Sequence, residues 1–201
     1  MPPWVRHQFP LAGALVRRLR DTACVDPACT WCREHHDARK ELTRWFGFKD
    51  FRPEPTDKDG RPLQQSIVEA AMAGRHVLGI LPTGTGKSLC YQIPALSRFE
   101  KTRALTEVIS PLVALMADQV AALRQAGVRA PALNSDLPPD GRRALWRDIY
   151  NGDLDLLYVA PETLLRPDVL ERLAGVKLSL KGIDEAHCLS PWGHDFRASH
   201  R

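Results

Sequence analysis

Hydrophobic and polar positions along this chain change period several times, and each change marks an element. From Leu63 the run QQSIVEAAMAG has helical spacing and stops at Gly74, which predicts a helix with a glycine at its C-terminus. HVLGIL is a short, continuous apolar run, the pattern of a buried strand. KSLCYQIPAL reads as a helix that begins inside a glycine-containing turn. ALTEVIS predicts a strand, PLVALMADQVAALRQAG an amphipathic helix closed by Gly127, VRAPALN a short strand, and PPDGRRALWRDIYNG a helix entered through proline. DLLYVAP is a further strand, the stretch from Glu162 to Ala174 is helical in pieces, and VKLSLKGIDEAH rises into an apolar strand that ends on two acids. Strands alternating with helices predict an α/β fold, a parallel sheet covered by helices on both faces.

Upstream of Leu63 the texture differs. LAGALVRRLR and DARKELTRWF predict two short helices in a segment rich in arginine, cysteine and histidine. RPEPTDKDGRP, residues 52–62, combines three prolines and a glycine with mostly charged residues, which predicts a loop or insertion. The pattern thus predicts an N-terminal arm over residues 1–50, a loop over 51–62, and a main domain over 63–201.

Composition narrows the class. An apolar fraction of 44% and a charged fraction of 26% fit a globular domain, and no run of 18 apolar residues predicts a membrane span. The first residues are too charged for a secretory signal, so the expected location is cytoplasmic. A net charge of +4 permits a polyanionic partner without requiring one. Five cysteines, an odd number, argue against a disulfide framework. Cys90 and Cys188 stand alone and read as small packing residues.

LPTGTGKS, Leu81 to Ser88, carries the chemistry. Consecutive backbone N–H groups in a tight turn, followed by a helix N-terminus, make a positive concavity suited to phosphate. Gly84 and Gly86 let the backbone approach oxygens closely. Thr83 and Thr85 complete the turn, Lys87 reaches the outer phosphates, and the Ser88 hydroxyl is placed to ligate Mg²⁺. The general pattern has glycine five positions before Gly86; Leu81 stands there, so the match is to the variant PTGxGKS. Asp184 and Glu185 end the last strand, at the edge of a parallel sheet where ligands bind. Asp184 is the expected second Mg²⁺ ligand and Glu185 the group that activates water.

GRHVLGILPTGTGKSLCYQIPAL, VISPLVALMADQV, LLYVAPETL and IDEAHCLSPWGHDFR occur in the order and spacing of the RecQ-like superfamily 2 DNA helicases. The chain resembles the first RecA-like, P-loop NTPase domain of that family over residues 63–201. The resemblance implies ATP as cofactor with Mg²⁺, 3′-to-5′ movement on single-stranded DNA, and separation of forked duplex. It also implies roles by position. Gln64 in RPLQ reads the adenine edge, with either Arg52 or Arg61 as the accompanying arginine. Trp45, Phe46 and Phe48 either stack on adenine or pack in the core. Ser110, Leu112, Gln119, Asn134, Ser135 and Thr163 lie along a DNA track. His187, Trp192, His194, Phe196 and Arg197 form an aromatic-rich loop that couples DNA to the ATP site, bases stacking on Trp192 and Phe196. A second RecA-like domain is missing from this chain. The 201-residue piece is therefore expected to bind ATP weakly, hydrolyse it poorly and unwind nothing. A nucleic-acid-stimulated ATPase that remodels without strand separation, and a truncated DNA-binding module, are the alternatives.

CVDPACTWCREHH departs from that family in its position near the start of the chain. Cys24, Cys29, Cys32 and His35, with His36 as substitute, have the ligand types of a tetrahedral Zn²⁺ site. An iron–sulfur cluster and a metal-free arm remain open.

Overall fold

The structure is a computed structural model that describes residues 8–24, 26 and 28–186. The chain divides into two compact units, one up to Arg103 and one from Ala104.

The first unit is helical. Its elements are α1 (Pro10–Asp21), α2 (Thr30–His35), α3 (Ala38–Phe46), α4 (Leu63–Met72) and α5 (Leu89–Thr102). Asp37 caps α3, accepting from the N–H groups of Arg39 (2.8 Å) and Lys40 (3.1 Å) that the first turn leaves unpaired. α4 ends as its sequence predicts. Gly74 sits at φ 74°, its N–H reaches Ala71 O, and Arg75 N–H reaches Ala70 O, which satisfies the last carbonyls. Leu42, Phe51, Val68, Met72 and Ile93 form the core between α3, α4 and α5. Arg98 on α5 holds Asp21 at the end of α1 with two bonds of 3.1 and 2.8 Å.

The charged loop is closed rather than loose. Thr56 and Pro62 form an antiparallel bridge, and Gly60 turns the chain at φ 76°. Asp57 accepts from Asp59 N–H and Arg61 N–H (both 2.9 Å) and from the Ser66 hydroxyl (2.6 Å).

One expected strand is not formed. Residues 75–82, which include HVLGIL, have no regular secondary structure, and Leu78 and Ile80 are 80% and 82% exposed. The composition favours a strand, but a strand exists only when a neighbour satisfies its N–H and C=O groups. Among the described residues no ladder includes this segment.

The second unit is the α/β layer: β1 (Leu105–Ile109), α6 (Val113–Gln125), β2 (Ala132–Leu133), α7 (Pro139–Asn151), β3 (Leu156–Val159), α8 (Pro161–Leu164), α9 (Pro167–Ala174) and β4 (Leu178–Ile183). The sheet order is β2-β3-β1-β4, all pairs parallel. Every residue of β1 and β3 is buried, Thr106 and Glu107 of β1 included, as in a sheet covered on both faces. Leu105, Ile109, Leu133, Leu157 and Val159 pack against Trp146 and Ile149 of α7 and Val169 and Leu173 of α9. Gly127, at φ 76°, closes α6: Val128 N–H donates to Leu123 O at 2.9 Å. Leu133 pairs with Val159, and Ile109 with both Val159 and Ile183, so the strands finish level. The residues that follow them line one carboxyl edge. No helix among the described residues is long and apolar enough to cross a membrane.

Candidate nucleotide site

The glycine turn sits between the extended segment 75–82 and α5. Gly84 and Gly86 have φ of 80° and 78°, a conformation that side chains with a Cβ rarely adopt. Between them the Thr85 hydroxyl donates back to Pro82 O at 2.7 Å and tightens the turn. Leu89 N–H then bonds Gly86 O at 3.1 Å and Gln92 N–H bonds Ser88 O at 2.9 Å, so the helix starts directly from the turn. A Cβ added to Gly84 would meet nothing within 4 Å. The surface over the turn is open, as a cradle for phosphate must be. Leu81, the residue that breaks the general glycine pattern, is buried and anchors the entry to the turn.

Gln64 is the residue that fixes this turn. It is 3% exposed, and its amide donates to Thr85 O (3.1 Å) and Gly86 O (2.8 Å) while accepting from Arg52 N–H (3.4 Å). A Cβ on Gly86 would lie 2.8 Å from Gln64 Nε2. Gln64, expected from the sequence to read the adenine edge, thus also holds the turn through its amide. The two candidate arginines also part company. Arg61 pairs with Asp57 (3.2 Å) and Glu69 (3.3 Å). The guanidinium of Arg52 has no ion pair among the described residues, and its backbone touches Gln64. Trp45 bonds Glu41 (3.0 Å), Phe46 packs on the core, and Phe48 is exposed. Burial pushes the Cys90 thiol up to about 12, so it stays protonated and serves as packing.

The acids lie at the carboxyl edge of the second unit's sheet. Asp184 N–H donates to Ile109 O at 2.8 Å, which carries the β1–β4 pairing one residue past the strand and fixes the direction of the Asp184 side chain. Asp184 is 6% exposed; its Oδ2 accepts from Gln119 Nε2 (3.2 Å) and its Oδ1 from Glu185 N–H (3.1 Å). Glu185 stands at φ 51°, a strained backbone for a residue with a side chain and one that recurs at functional turns.

Other expected residues fall differently. Ser110 and Thr163, read as DNA contacts, are 0% and 2% exposed. Ser110 directly follows β1 and Thr163 lies in α8, and both side chains are enclosed by their neighbours. The Ser110 hydroxyl has no hydrogen-bond partner among the described residues. Gln119 faces Asp184. Leu112 is exposed, and Asn134 and Ser135 follow β2 at the same edge. His187, Trp192, His194, Phe196 and Arg197 lie outside the described residues, as does Cys188.

In the first unit the sulfurs of Cys24, Cys29 and Cys32 all lie within 4.8 Å of one another. His35 is not in that group: its Nδ1 bonds Trp31 O at 2.9 Å. The Cys24 thiol is pushed up to about 11 by the hydrogen bond it shares with Cys32, and Cys29 is drawn down by a backbone bond.

A glycine turn opening a long helix, and paired acids at the end of a parallel strand, define an α/β protein of the P-loop class. The chain belongs to the DEAD/DEAH box helicase family, whose profile matches residues 61–201. It is 43% identical over 160 residues to the probable ATP-dependent DNA helicase RecS of Bacillus subtilis (strain 168), covering 79% of this chain and 29% of that protein. It is 41% identical over 164 residues to the ATP-dependent DNA helicase RecQ of Haemophilus influenzae, covering 82% and 24%. It is 42% identical over 146 residues to the ATP-dependent helicase SGS1 of Saccharomyces cerevisiae, covering 70% and 10%. The chain therefore spans less than a third of each of these relatives.

Proposed function

We propose that this chain is the ATP-binding part of a RecQ-type DNA helicase, in which ATP hydrolysis drives 3′-to-5′ movement along single-stranded DNA. The observation that carries the reading is the turn from Thr83 to Ser88, where two left-handed glycines lead straight into a 14-residue helix. Thr83, Gly84, Thr85 and Gly86 present backbone to the phosphates, and Lys87 supplies the positive charge that binds their outer oxygens. Ser88 offers a hydroxyl, and Asp184 a carboxylate, of the types that bind Mg²⁺, which when present neutralises developing charge on the phosphates. Glu185 accepts the proton of the attacking water.

Two residues gain more definite parts. Arg52, whose guanidinium has no ion pair among the described residues and whose N–H lies on Gln64, is the arginine of the nucleotide element. Gln119 is a positioning residue for Asp184, since its amide donates to Asp184 Oδ2 and holds the carboxylate in one orientation. DNA contact falls to the more exposed Leu112, Asn134 and Ser135, and to His187, Trp192, His194, Phe196 and Arg197.

The test is nucleotide binding by the 201-residue chain, read with a fluorescent ATP analogue and Mg²⁺. Lys87→Ala is expected to abolish binding and Arg52→Ala to weaken it, while Arg61→Ala leaves it unchanged. Glu185→Gln is expected to keep binding. Equal binding by Lys87→Ala and the parent chain refutes the reading. Direction is tested on duplexes with 3′ or 5′ single-stranded tails, using a chain of its relatives' length; separation of only 5′-tailed duplex refutes the stated polarity.

A further inference from the structure

The first unit holds a second chemical cluster, separate from the glycine turn. The sulfurs of Cys24, Cys29 and Cys32 converge within 4.8 Å, on three residues that are exposed or half-exposed. An unreactive cysteine is ordinarily buried as a small apolar residue. Three thiols meeting at the surface are not a product of apolar packing.

Backbone geometry holds them there. Asp26 turns the chain between the first two cysteines, accepting from Ala28 N–H at its carboxylate (2.9 Å) and from Cys29 N–H at its carbonyl (3.2 Å). Cys29 stands at the N-cap of α2, and Cys32 follows one turn on. Cys24 N–H donates to the Cys32 sulfur at 3.3 Å, which ties the start of the segment to α2. The Cys24 and Cys32 sulfurs are 3.3 Å apart. That is well beyond the roughly 2.05 Å of a disulfide. It is close to the edge of about 3.8 Å that metal–sulfur bonds of about 2.3 Å produce in a tetrahedron.

Little else fixes this segment. α2 has six residues and buries none of them. An isolated helix of that length does not persist in water. Something other than a core must hold it, and a metal ion contributes folding free energy outright.

His35 supplies the remaining ligand type. It lies one turn beyond Cys32 on α2. Its ring stacks on Trp31 at 4.5 Å, and its Nδ1 bonds Trp31 O. That bond assigns the proton to Nδ1 and leaves the lone pair on Nε2, the arrangement that metal-bound histidines show when the other ring nitrogen donates to a carbonyl. His36 is the poorer candidate, because its Nδ1 faces the Lys101 ammonium at 3.3 Å.

We propose that Cys24, Cys29, Cys32 and His35 bind one Zn²⁺ and that this ion holds residues 24–35 in their fold. His35, which stands outside the sulfur cluster with its ring on Trp31, completes the tetrahedron through Nε2 by changing rotamer and giving up that contact, and the thiols release their protons to solvent on binding. Three sulfurs and one imidazole match a structural zinc site, closed to a fifth ligand.

The experiment uses the whole 201-residue chain, produced in medium supplied with both zinc and iron. Elemental analysis is expected to give about one zinc per chain, in a colourless protein. Replacing the ion with Co²⁺ should give the visible bands of a tetrahedral thiolate site. His35→Ala should lose those bands while His36→Ala keeps them. Chelation should speed hydrogen exchange in residues 24–35 and leave α4 and α5 protected, a readout that needs no variant to fold. A metal-free chain, a coloured iron–sulfur chain, or a Cys24–Cys32 disulfide overturns the proposal. Unchanged Co²⁺ bands in His35→Ala overturn the ligand set.

Discussion

Alanine at Gly86 should cost clearly more than alanine at Gly84, although the two glycines share a turn and nearly the same backbone angles. At φ 80° and 78°, each position charges a residue with a Cβ about 1–2 kcal/mol for the left-handed conformation. At Gly84 the cost stops there, since nothing lies within 4 Å of the added atom. At Gly86 the new Cβ falls 2.8 Å from Gln64 Nε2, too close to be tolerated. Gln64 is the far end of a side chain, so the clash itself is relieved by moving it. The penalty is what that amide loses. It is buried, and it holds Thr85 O, Gly86 O and Arg52 N–H. Leaving part of a buried amide unsatisfied costs about 1–3 kcal/mol. Gly84→Ala should therefore lose about 1–2 kcal/mol, and Gly86→Ala about 2–5 kcal/mol. Hydrogen exchange of α4 and α5, followed by mass spectrometry, reads the stability of this unit without interference from the other. In a Gln64→Ala background the excess cost of Gly86→Ala should vanish, a coupling of about 1–3 kcal/mol. Equal costs for the two alanines, or an excess that survives loss of Gln64, would refute the reasoning.

Three further outcomes follow from buried or bonded charges. The Ser66 hydroxyl and the Arg61 N–H hold the Asp57 carboxyl at about 2, below its usual 3.8. A depressed carboxylate stabilises the fold above its unfolded pKa, and this contribution is lost as pH falls from near 4 towards 2. Ser66→Ala should move the Asp57 titration, followed by NMR, back towards 3.8; an unmoved titration refutes the assignment. Burial raises Glu107 in β1, and Lys181 at 3.8 Å offsets this only in part. A raised carboxyl contributes stability below its ordinary 4.5 that is lost as pH rises through the folded value. Glu107→Gln should flatten that pH dependence in urea unfolding, and an unchanged slope counts against it. Asp21→Asn weakens the two-pronged, largely buried grip of Arg98, so exchange protection of α1 should fall by about 1–3 kcal/mol, with none lost in β1 or β3.

Much of the fold is legible in the chain because its signals are local. β3 is an apolar run, β1 and β4 are rich in β-branched and aliphatic residues, and α4 and α6 stop where Gly74 and Gly127 can take positive φ. What escapes is decided by partners distant in sequence. HVLGIL has the composition of a strand, yet pairing belongs to two segments at once, and composition describes only one. α2 escapes for the opposite reason: it has no apolar stripe to detect, since it buries nothing. The charged loop looks free in sequence, but Asp57 draws Arg61 and Ser66 onto one carboxylate.

The site divides along the same line. The residue types at the glycine turn and after β4 announce their chemistry, because phosphate and metal accept few alternatives. Which residues face a ligand and which support those that do is a matter of burial, and sequence does not carry it. A level parallel sheet makes this concrete. Its carboxyl edge collects Ser110, Ala160 and Asp184, each one residue past its strand. Ser110, after the strand that has a neighbour on either side, is enclosed. The Asp184 carboxylate, after β4, accepts from Gln119 Nε2 and from Glu185 N–H. Gln64 and Gln119 thus have the same kind of task in different units. Each is a side-chain amide that donates to a group of the proposed site, Gln64 to two carbonyls of the glycine turn and Gln119 to the Asp184 carboxylate. The residue types alone do not announce these bonds, because each joins segments distant in sequence.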